Sequence, residues 1–282
     1  MTVAIGAVRA RKTKSLVLTT AIAAGAVVMI LPFYWLIIAS TYSGSDMFSS
    51  PPHFLPGGAF MSNLSALLDG TTFGRAMLNS TFIATIYTIG GLIICTAAGY
   101  AFAKFEFRGK NVMFATLLVT LALPSQVTLI PLFQLMVWLG WLDTYQAIIL
   151  PTLALPFGIF LMRQTMESLP DELIQAARVD GAGEFRLFAR IVVPTVRPAL
   201  AALAIFLFLA QWNAFVYPLV VLRTPEAYTL PVQLATLQGS GGHTDYGQLL
   251  TGTFLSMVPI LILFLFLQRQ FVAGVLAGAV KQ

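Results

Sequence analysis

Few residues in this 282-residue chain have side chains suited to catalysis. Cys95 is the single cysteine, so no internal disulfide can form, and His53 and His243 lie far apart in turn-rich segments that make a poor metal site. A phosphate-binding loop of the form G-x-x-x-x-G-K-[ST] is missing. The only Gly-Lys pair, Gly109-Lys110, lacks both the upstream glycine spacing and the following Ser or Thr. The chain therefore reads as a non-enzyme with no cofactor or metal of its own. Its densest chemistry is the charged stretch "SLPDELIQAARVDGAGEFRLFARIVVP", residues 168–194, in a sequence that otherwise avoids charge.

Composition sets the frame for that stretch. The chain is 58% hydrophobic and 10% charged, against about 45–50% and about 25% in soluble domains, so most side chains cannot face water. It reads as an all-α integral membrane protein. A helix needs roughly 20 apolar residues to cross a bilayer. Six uncharged runs meet that need, within 15–45, 76–103, 111–142, 144–162, 198–222 and 246–268. Two further uncharged runs, 47–68 and 227–244, carry too much proline, glycine and polar content to satisfy their backbone in lipid. The third run is too long for one span and too short for two; with Pro124 and Pro131 inside it, a kinked helix with a short external extension is expected. The first run comes after Arg9, Arg11, Lys12 and Lys14, the ingredients of a signal peptide. Its length and its bulky "PFYWLII" end favour a retained first span.

Basic residues orient the six-span layout. With the N-terminus inside, 14 of the 16 Lys and Arg fall on the cytoplasmic side, and only Arg75 and Arg223 fall outside. Both termini are then cytoplasmic, as a tail of residues 1–14 and a tail of 273–282 flanking a membrane domain of 15–272. This distribution also accounts for the net charge of +5 without nucleic acid. The charged stretch lands in the cytoplasm, inside a connection of 165–198 that is too long for a plain link between helices.

That connection has local signals of its own. Ser168, Leu169, Pro170 and Asp171 have the form of a capping box opening a helix. Leu173, Ala176 and Ala177 are expected on one face, and Gly181 is a plausible left-handed stop. From Glu184 helical spacing resumes, with Phe185, Phe188 and Val192 on one side until Pro194 ends it. Such a pair of amphipathic helices fits either the headgroup layer or a protein surface. The small alanine and glycine face beside bulky phenylalanines favours docking to another protein.

The segment "ELIQAARVDGAGEFRLFARIVVP" closely resembles the EAA loop of permease subunits in ATP-binding-cassette importers. Ala176, Ala177, Asp180, Gly181, Ala182, Phe188, Ile191 and Pro194 match that pattern, with Gln175 where the family often has glutamate. "LNSTFIATIYTIGGLIICTAAGYAFAKFEFRGK" (78–110), "LGWLDTYQAIIL" (139–150), "QWNAFVYPLVV" (211–221) and "QRQFVAGVLAGAVKQ" (268–282) resemble the carbohydrate branch, the maltose-type partner permease. The resemblance implies a binding-protein-dependent permease fold with a MetI-like core, moving a sugar or related solute, or a glycerol phosphate. It implies that Leu173 to Gly181 is a coupling helix seated on a separate ATPase that binds ATP and Mg, with Ala182, Phe185 and Phe188 beside it. It implies four kinds of partner: a second homologous permease, two ATP-binding subunits, an extracytoplasmic solute-binding protein and membrane lipid.

Alternatives remain on the residues alone. A self-sufficient secondary carrier usually buries ionisable groups on its pathway, and the six runs hold no Asp, Glu, Lys or Arg in their central segments. A non-transport scaffold is the other class. For an uncharged polar substrate, candidate pathway residues are Ser125, Gln126 and Thr128, then Gln134, then Gln211, Trp212, Asn213 and Tyr217, each of which serves equally well as glue between helices. Gly91, Cys95 and Gly99 recur every four residues and read as a packing stripe. The segments 40–75 and 223–248 are long enough for ordered external loops, which the resemblance makes a landing surface for the binding protein.

Overall fold

A computed structural model of the chain describes residues 2–44, 46–48, 53–124, 126–239 and 244–279, and within those ranges the side chains of residues 16–268. Every regular element described is helical. In chain order these are α1 (Thr2–Ala39), a 3-10 turn (Asp46–Phe48), α2 (Phe60–Gly70), α3 (Phe73–Lys104), α4 (Lys110–Leu121), α5 (Leu129–Leu139), α6 (Tyr145–Ile149) and α7 (Pro156–Glu167). They continue as α8 (Asp171–Val179), α9 (Glu184–Leu187), a π turn (Phe188–Val192), α10 (Val193–Thr195), α11 (Arg197–Trp212), α12 (Val216–Val221), α13 (Leu230–Gly239) and α14 (Tyr246–Ala279).

Three stretches are long and apolar enough to cross a bilayer: 16–39 in α1, the whole of α3, and 246–268 in α14, with a fourth if α9 to α11 is counted as one span bent by 81°. The other apolar runs are broken rather than continuous. Run 111–142 is expected to be one kinked helix, yet it forms α4 and α5 with non-helical backbone between them. Pro124 falls in that break, whereas Pro131 sits in the first turn of α5, where a missing N–H removes no intrahelical bond. Run 144–162 is interrupted between α6 and α7 around Pro151, and run 198–222 is interrupted after Trp212. Six apolar runs are thus carried by a larger number of helical pieces.

The chain divides into two compact units. The first comprises residues 1–71 and 237–255. Here the segment after α1 is tied down by Asn63 of α2, whose Nδ2 donates to the Ser40 carbonyl (3.0 Å) and the Tyr42 carbonyl (2.9 Å). Gly57 N–H donates to Thr41 Oγ1 (2.7 Å), and Tyr42 stacks on His53 with ring centroids 4.4 Å apart. The described part of 40–71 is therefore ordered structure.

The second unit comprises 72–236 and 256–282 and is built around α3. In its most apolar window 44% of α3 is buried, against 6% for α1 and 11% for α14, so α3 is the interior long helix. It packs along α7 and α11 because its contact face is small. A Cβ on Gly99 would lie 2.6 Å from Met162 Cβ and 2.8 Å from the Arg163 nitrogen, and one on Gly158 of α7 would lie 2.7 Å from Cys95 Sγ. Gly91 abuts Leu207 of α11 in the same way. The Gly91, Cys95, Gly99 stripe is a packing surface, and Cys95 is a fully buried part of it.

At the α3 N-terminal end of this unit, polar side chains fasten the connections. Asn79 Nδ2 donates to the carbonyls of Glu226 and Tyr228 (both 2.9 Å), and its Oδ1 accepts from Tyr145 Oη (2.7 Å). Asp143 holds a positive φ of 61° that a non-glycine residue rarely adopts. Its carboxylate accepts from the N–H groups of Arg223 (2.8 Å) and Thr224 (3.1 Å) and from Thr224 Oγ1 (2.8 Å). Partial burial alone would raise its pKa; those three donors and the nearby Arg223 charge outweigh it and hold the carboxyl below the usual range. A cleft of ≈ 220 Å³ lined by Arg75, Asp143, Tyr145, Thr224 and Glu226 opens beside this lock.

Candidate functional site

The charged stretch folds as two short helical pieces joined by a glycine turn. Gly181 takes φ +78°, the left-handed stop expected of it. The N–H of Ala182 donates to the Ala177 carbonyl (3.0 Å) and that of Gly181 to the Arg178 carbonyl (3.0 Å), satisfying the end of α8. The start of α8 differs from the capping-box expectation. Ser168 Oγ donates to the Thr165 carbonyl (2.7 Å), finishing α7, and α8 begins after Pro170 without a side-chain cap. A serine hydroxyl bonds equally well back to a preceding turn, so its type alone did not fix which helix it serves.

The faces are also rotated from those expected. Ile174 and Ala177 are the buried side chains of α8, whereas Leu173, Ala176 and Val179 point outward at helical spacing, with Leu173 47% and Val179 87% exposed. Phe185 is 83% exposed and does not share a side with Val192, which is buried together with Leu187. The cause is the π turn at 188–192, which adds a residue to the helical repeat and rotates the side chains beyond it. Pro194, expected to end the segment, sits inside α10, and the bend comes at Val196. Of the predicted coupling residues, Leu173, Gln175, Ala176, Asp180 and Phe185 face outward, and Ala177 faces inward. Ala182 and Phe188 are half-buried, the Phe188 ring lying 5.2 Å from that of Tyr100.

Sequence patterns did not point to the groups that anchor this segment. Lys104, the last residue of α3, donates from Nζ to the Leu169 carbonyl (2.7 Å) and to Asp171 Oδ1 (2.6 Å). Glu184 accepts from Arg178 Nε (2.7 Å) and from Tyr100 Oη (3.4 Å). The Lys104 hydrogen bond, then its charge, holds the Asp171 carboxyl below the usual range, while the Glu184 hydrogen bond raises the Arg178 guanidinium. Lys104, Glu106, Asp171, Ile174, Gln175 and Arg178 line a cleft of ≈ 250 Å³, so Gln175 opens on this hollow. The clue available in sequence was weak: Tyr100 and Lys104 stand four apart at the end of a long apolar run.

The expected pathway residues differ in their surroundings. Ser125 lies outside the described residues. Gln126, Thr128 and Gln134 are exposed. Trp212 is buried and stacks on Phe208 at 5.4 Å. Gln211 is half-buried, Asn213 Nδ2 donates to the Leu209 carbonyl of its own helix (2.9 Å), and Tyr217 Oη donates to the Ala147 carbonyl (2.9 Å). Neither the cleft beside Asp143 nor the one beside Lys104 includes any of them.

A family profile described as "Binding-protein-dependent transport system inner membrane component" matches residues 91–277, a span that holds α8 and its anchors. The chain is 38% identical over 281 residues to the arabinooligosaccharides transport system permease protein AraQ of Halalkalibacterium halodurans, covering 96% of this chain and 99% of that one. It is 34% identical over 271 residues to the lactose transport system permease protein LacG of Rhizobium radiobacter (96% and 98% covered). It is 32% identical over 257 residues to the sn-glycerol-3-phosphate transport system permease protein UgpE of Yersinia pestis (89% and 92% covered). In fold it is similar to a chain of a bacterial ABC transporter involved in the import of the acidic polysaccharide alginate, with TM-score 0.80, 24% identity, and 93% and 98% of the two chains covered.

Proposed function

This chain belongs to the family of binding-protein-dependent transport system inner membrane components, and on that premise we propose that it is the translocation subunit of an ATP-driven importer for a sugar or sugar-like solute. ATP hydrolysis belongs to a separate subunit that docks on α8. The carrying observation is the outward apolar row of Leu173, Ala176 and Val179 on α8, with Phe185 also exposed after the glycine turn, on a segment tied to α3 through Lys104. Exposed apolar side chains clustered on one polar-rimmed segment mark a surface that another protein covers. A helix lying in the headgroup layer would need that row alone; the anchoring of α8 to α3 fits a part that transmits force.

Docking couples nucleotide to movement. Closure of an ATPase dimer on nucleotide moves α8, and α3 goes with it, together with the helices packed on α3, between inward-open and outward-open forms. Nucleotide must bind one form better by several kcal/mol, since a ligand indifferent to both moves neither. In this reading α8 lies in the cytoplasm with both termini, six apolar runs cross or enter the bilayer, a second permease completes the pathway, and a solute-binding protein delivers substrate from outside. A sugar is favoured because AraQ and LacG, which match nearly end to end, are named for arabinooligosaccharides and lactose transport; UgpE keeps a glycerol phosphate as the second substrate class.

The test is co-purification in mild detergent. The unaltered chain is expected to bring down an ATP-binding subunit and a second permease, and Val179→Asp with Phe185→Asp is expected to lose the ATP-binding subunit while keeping the permease. Retention of the ATPase by that variant would refute the docking face.

A further inference from the structure

Two residues at the end of α3 reach the two ends of α8, Lys104 directly and Tyr100 through Glu184 of α9. Tyr100 and Lys104 stand four apart and therefore on one face of the last turn of α3. Lys104 reaches the α8 N-terminus, binding the Leu169 carbonyl and the Asp171 carboxylate at 2.7 and 2.6 Å. Tyr100 reaches the other end through Glu184, which in turn binds Arg178 in the last turn of α8. Ile174 and Ala177 are buried between the two grips.

We propose that Tyr100 and Lys104 form a two-point latch, a pair of positioning residues that makes α8 move with α3 as one body. The proposal rests on the docking of an ATPase to the outer face of α8. A single surface ion pair would not do this, because exposed pairs contribute about 0–1 kcal/mol and their long side chains reorient. Lys104 differs. Its side chain is 6% exposed while that of Asp171 is 70% exposed, so the lysine is held by its surroundings and offers its ammonium to the start of α8 from a fixed position. If α8 tilted away, Lys104 would lose both hydrogen bonds at once, the one to the Leu169 carbonyl and the one to Asp171. At the other grip, Tyr100 is buried and its ring is packed against Phe105 and Phe188, which gives its hydroxyl a fixed position from which to reach Glu184. One grip would act as a pivot, about which α8 could swing without moving α3. The second contact, longer at 3.4 Å and relayed by the exposed Glu184–Arg178 pair, limits that swing. Since α3 is the interior long helix packed along α7 and α11, a displacement of α8 enters the membrane part through this turn.

The latch and the docking face make separable predictions. In the complete transporter reconstituted in liposomes with its binding protein, the readouts are solute moved per ATP hydrolysed and ATPase bound per permease. Lys104→Met leaves the outer face of α8 intact and is expected to keep the ATPase bound while lowering solute per ATP about tenfold, within the range by which coupling residues act. Tyr100→Phe, which keeps the ring and removes only the hydroxyl, is expected to lower it several-fold. Lys104→Glu combined with Asp171→Lys is expected to recover part of the loss, since the exchange restores the ion pair and not the bond to the Leu169 carbonyl. An unchanged ratio in both Lys104→Met and Tyr100→Phe, or an exchange no better than Lys104→Glu alone, overturns the latch. Should Lys104→Met fail to accumulate, Tyr100→Phe decides by itself: a normal ratio overturns the latch and a lowered one supports it. Loss of the ATPase from the latch variants overturns it in favour of a docking role for these residues. Absence of any ATPase from the unaltered complex removes the proposed function, and the latch with it.

Discussion

Gly181 and Asp143 both occupy left-handed backbone, one at no cost and one held by its side chain. A Cβ at Gly181 would meet no neighbour, so any effect of substitution comes from φ alone. Gly181→Val is expected to cost roughly 1–2 kcal/mol of local strain and to loosen the end of α8. Solute uptake by the reconstituted transporter should fall while some ATP hydrolysis persists; normal uptake would show that the turn geometry is dispensable. Asp143 is a pH-dependent case. Its folded pKa is depressed by the three donors from Arg223 and Thr224, so the lock is fully formed above the unfolded value of about 3.9 and is lost as pH falls through the lower folded value. Asp143→Ala should lower thermal stability in detergent at neutral pH, and the gap to the unaltered protein should close once the medium is acidic enough to protonate Asp143. A gap that persists unchanged at low pH would assign the loss to something other than the carboxylate.

At the scale of elements, α3 and α7 approach through glycine, and that closeness is testable. Gly99→Leu places side-chain atoms where Met162 and the Arg163 backbone already sit, so a loss of about 1–3 kcal/mol is expected, read as a lower unfolding temperature of the detergent-solubilised chain. Gly25→Leu is the control, since nothing lies within 4 Å of a Cβ there. The stripe on α3 was legible from spacing because a four-residue repeat of small residues has one dominant physical use in a long apolar helix. The faces of α8 and α9 were not legible to the same degree. Leu173, Ala176 and Ala177 can share a face, but so can Ile174 with Ala177, and which row turns inward depends on where Lys104, Tyr100 and Phe188 stand. A π turn leaves no mark in the residue pattern, so the inward turn of Val192 beside Leu187, away from the side of Phe185, had to be seen.

For the molecule as a whole, the prediction is an assembly. Purified with its partners, the chain should appear with a second permease and two ATP-binding subunits, and subunit masses by native mass spectrometry check the count. The companion solute-binding protein, screened against mono-, di- and oligosaccharides and glycerol phosphates, should bind an oligosaccharide or disaccharide more tightly than any phosphate; the reverse order would move the chain to the second substrate class. Three long apolar helices were readable because crossing a bilayer imposes a length that composition reveals. The breaks inside the apolar runs were readable too: Pro124 and Pro151 mark two, and Pro218, which has no N–H for the Ala214 carbonyl, follows the break after Trp212.

Rules that act locally along the chain let the sequence by itself determine a membrane protein by its scarcity of charge, a helical one by its apolar run lengths, a glycine turn at Gly181, and a charged segment apart from the spans. Only the tertiary structure decided which groups distant in sequence meet. Lys104 and Asp171 stand 67 residues apart and Tyr100 and Glu184 stand 84 apart, yet each pair makes a hydrogen bond. Side-chain type shows what a residue can bond to; the packing of α3 on α7, set by the small side chains between them, brings the partner within reach.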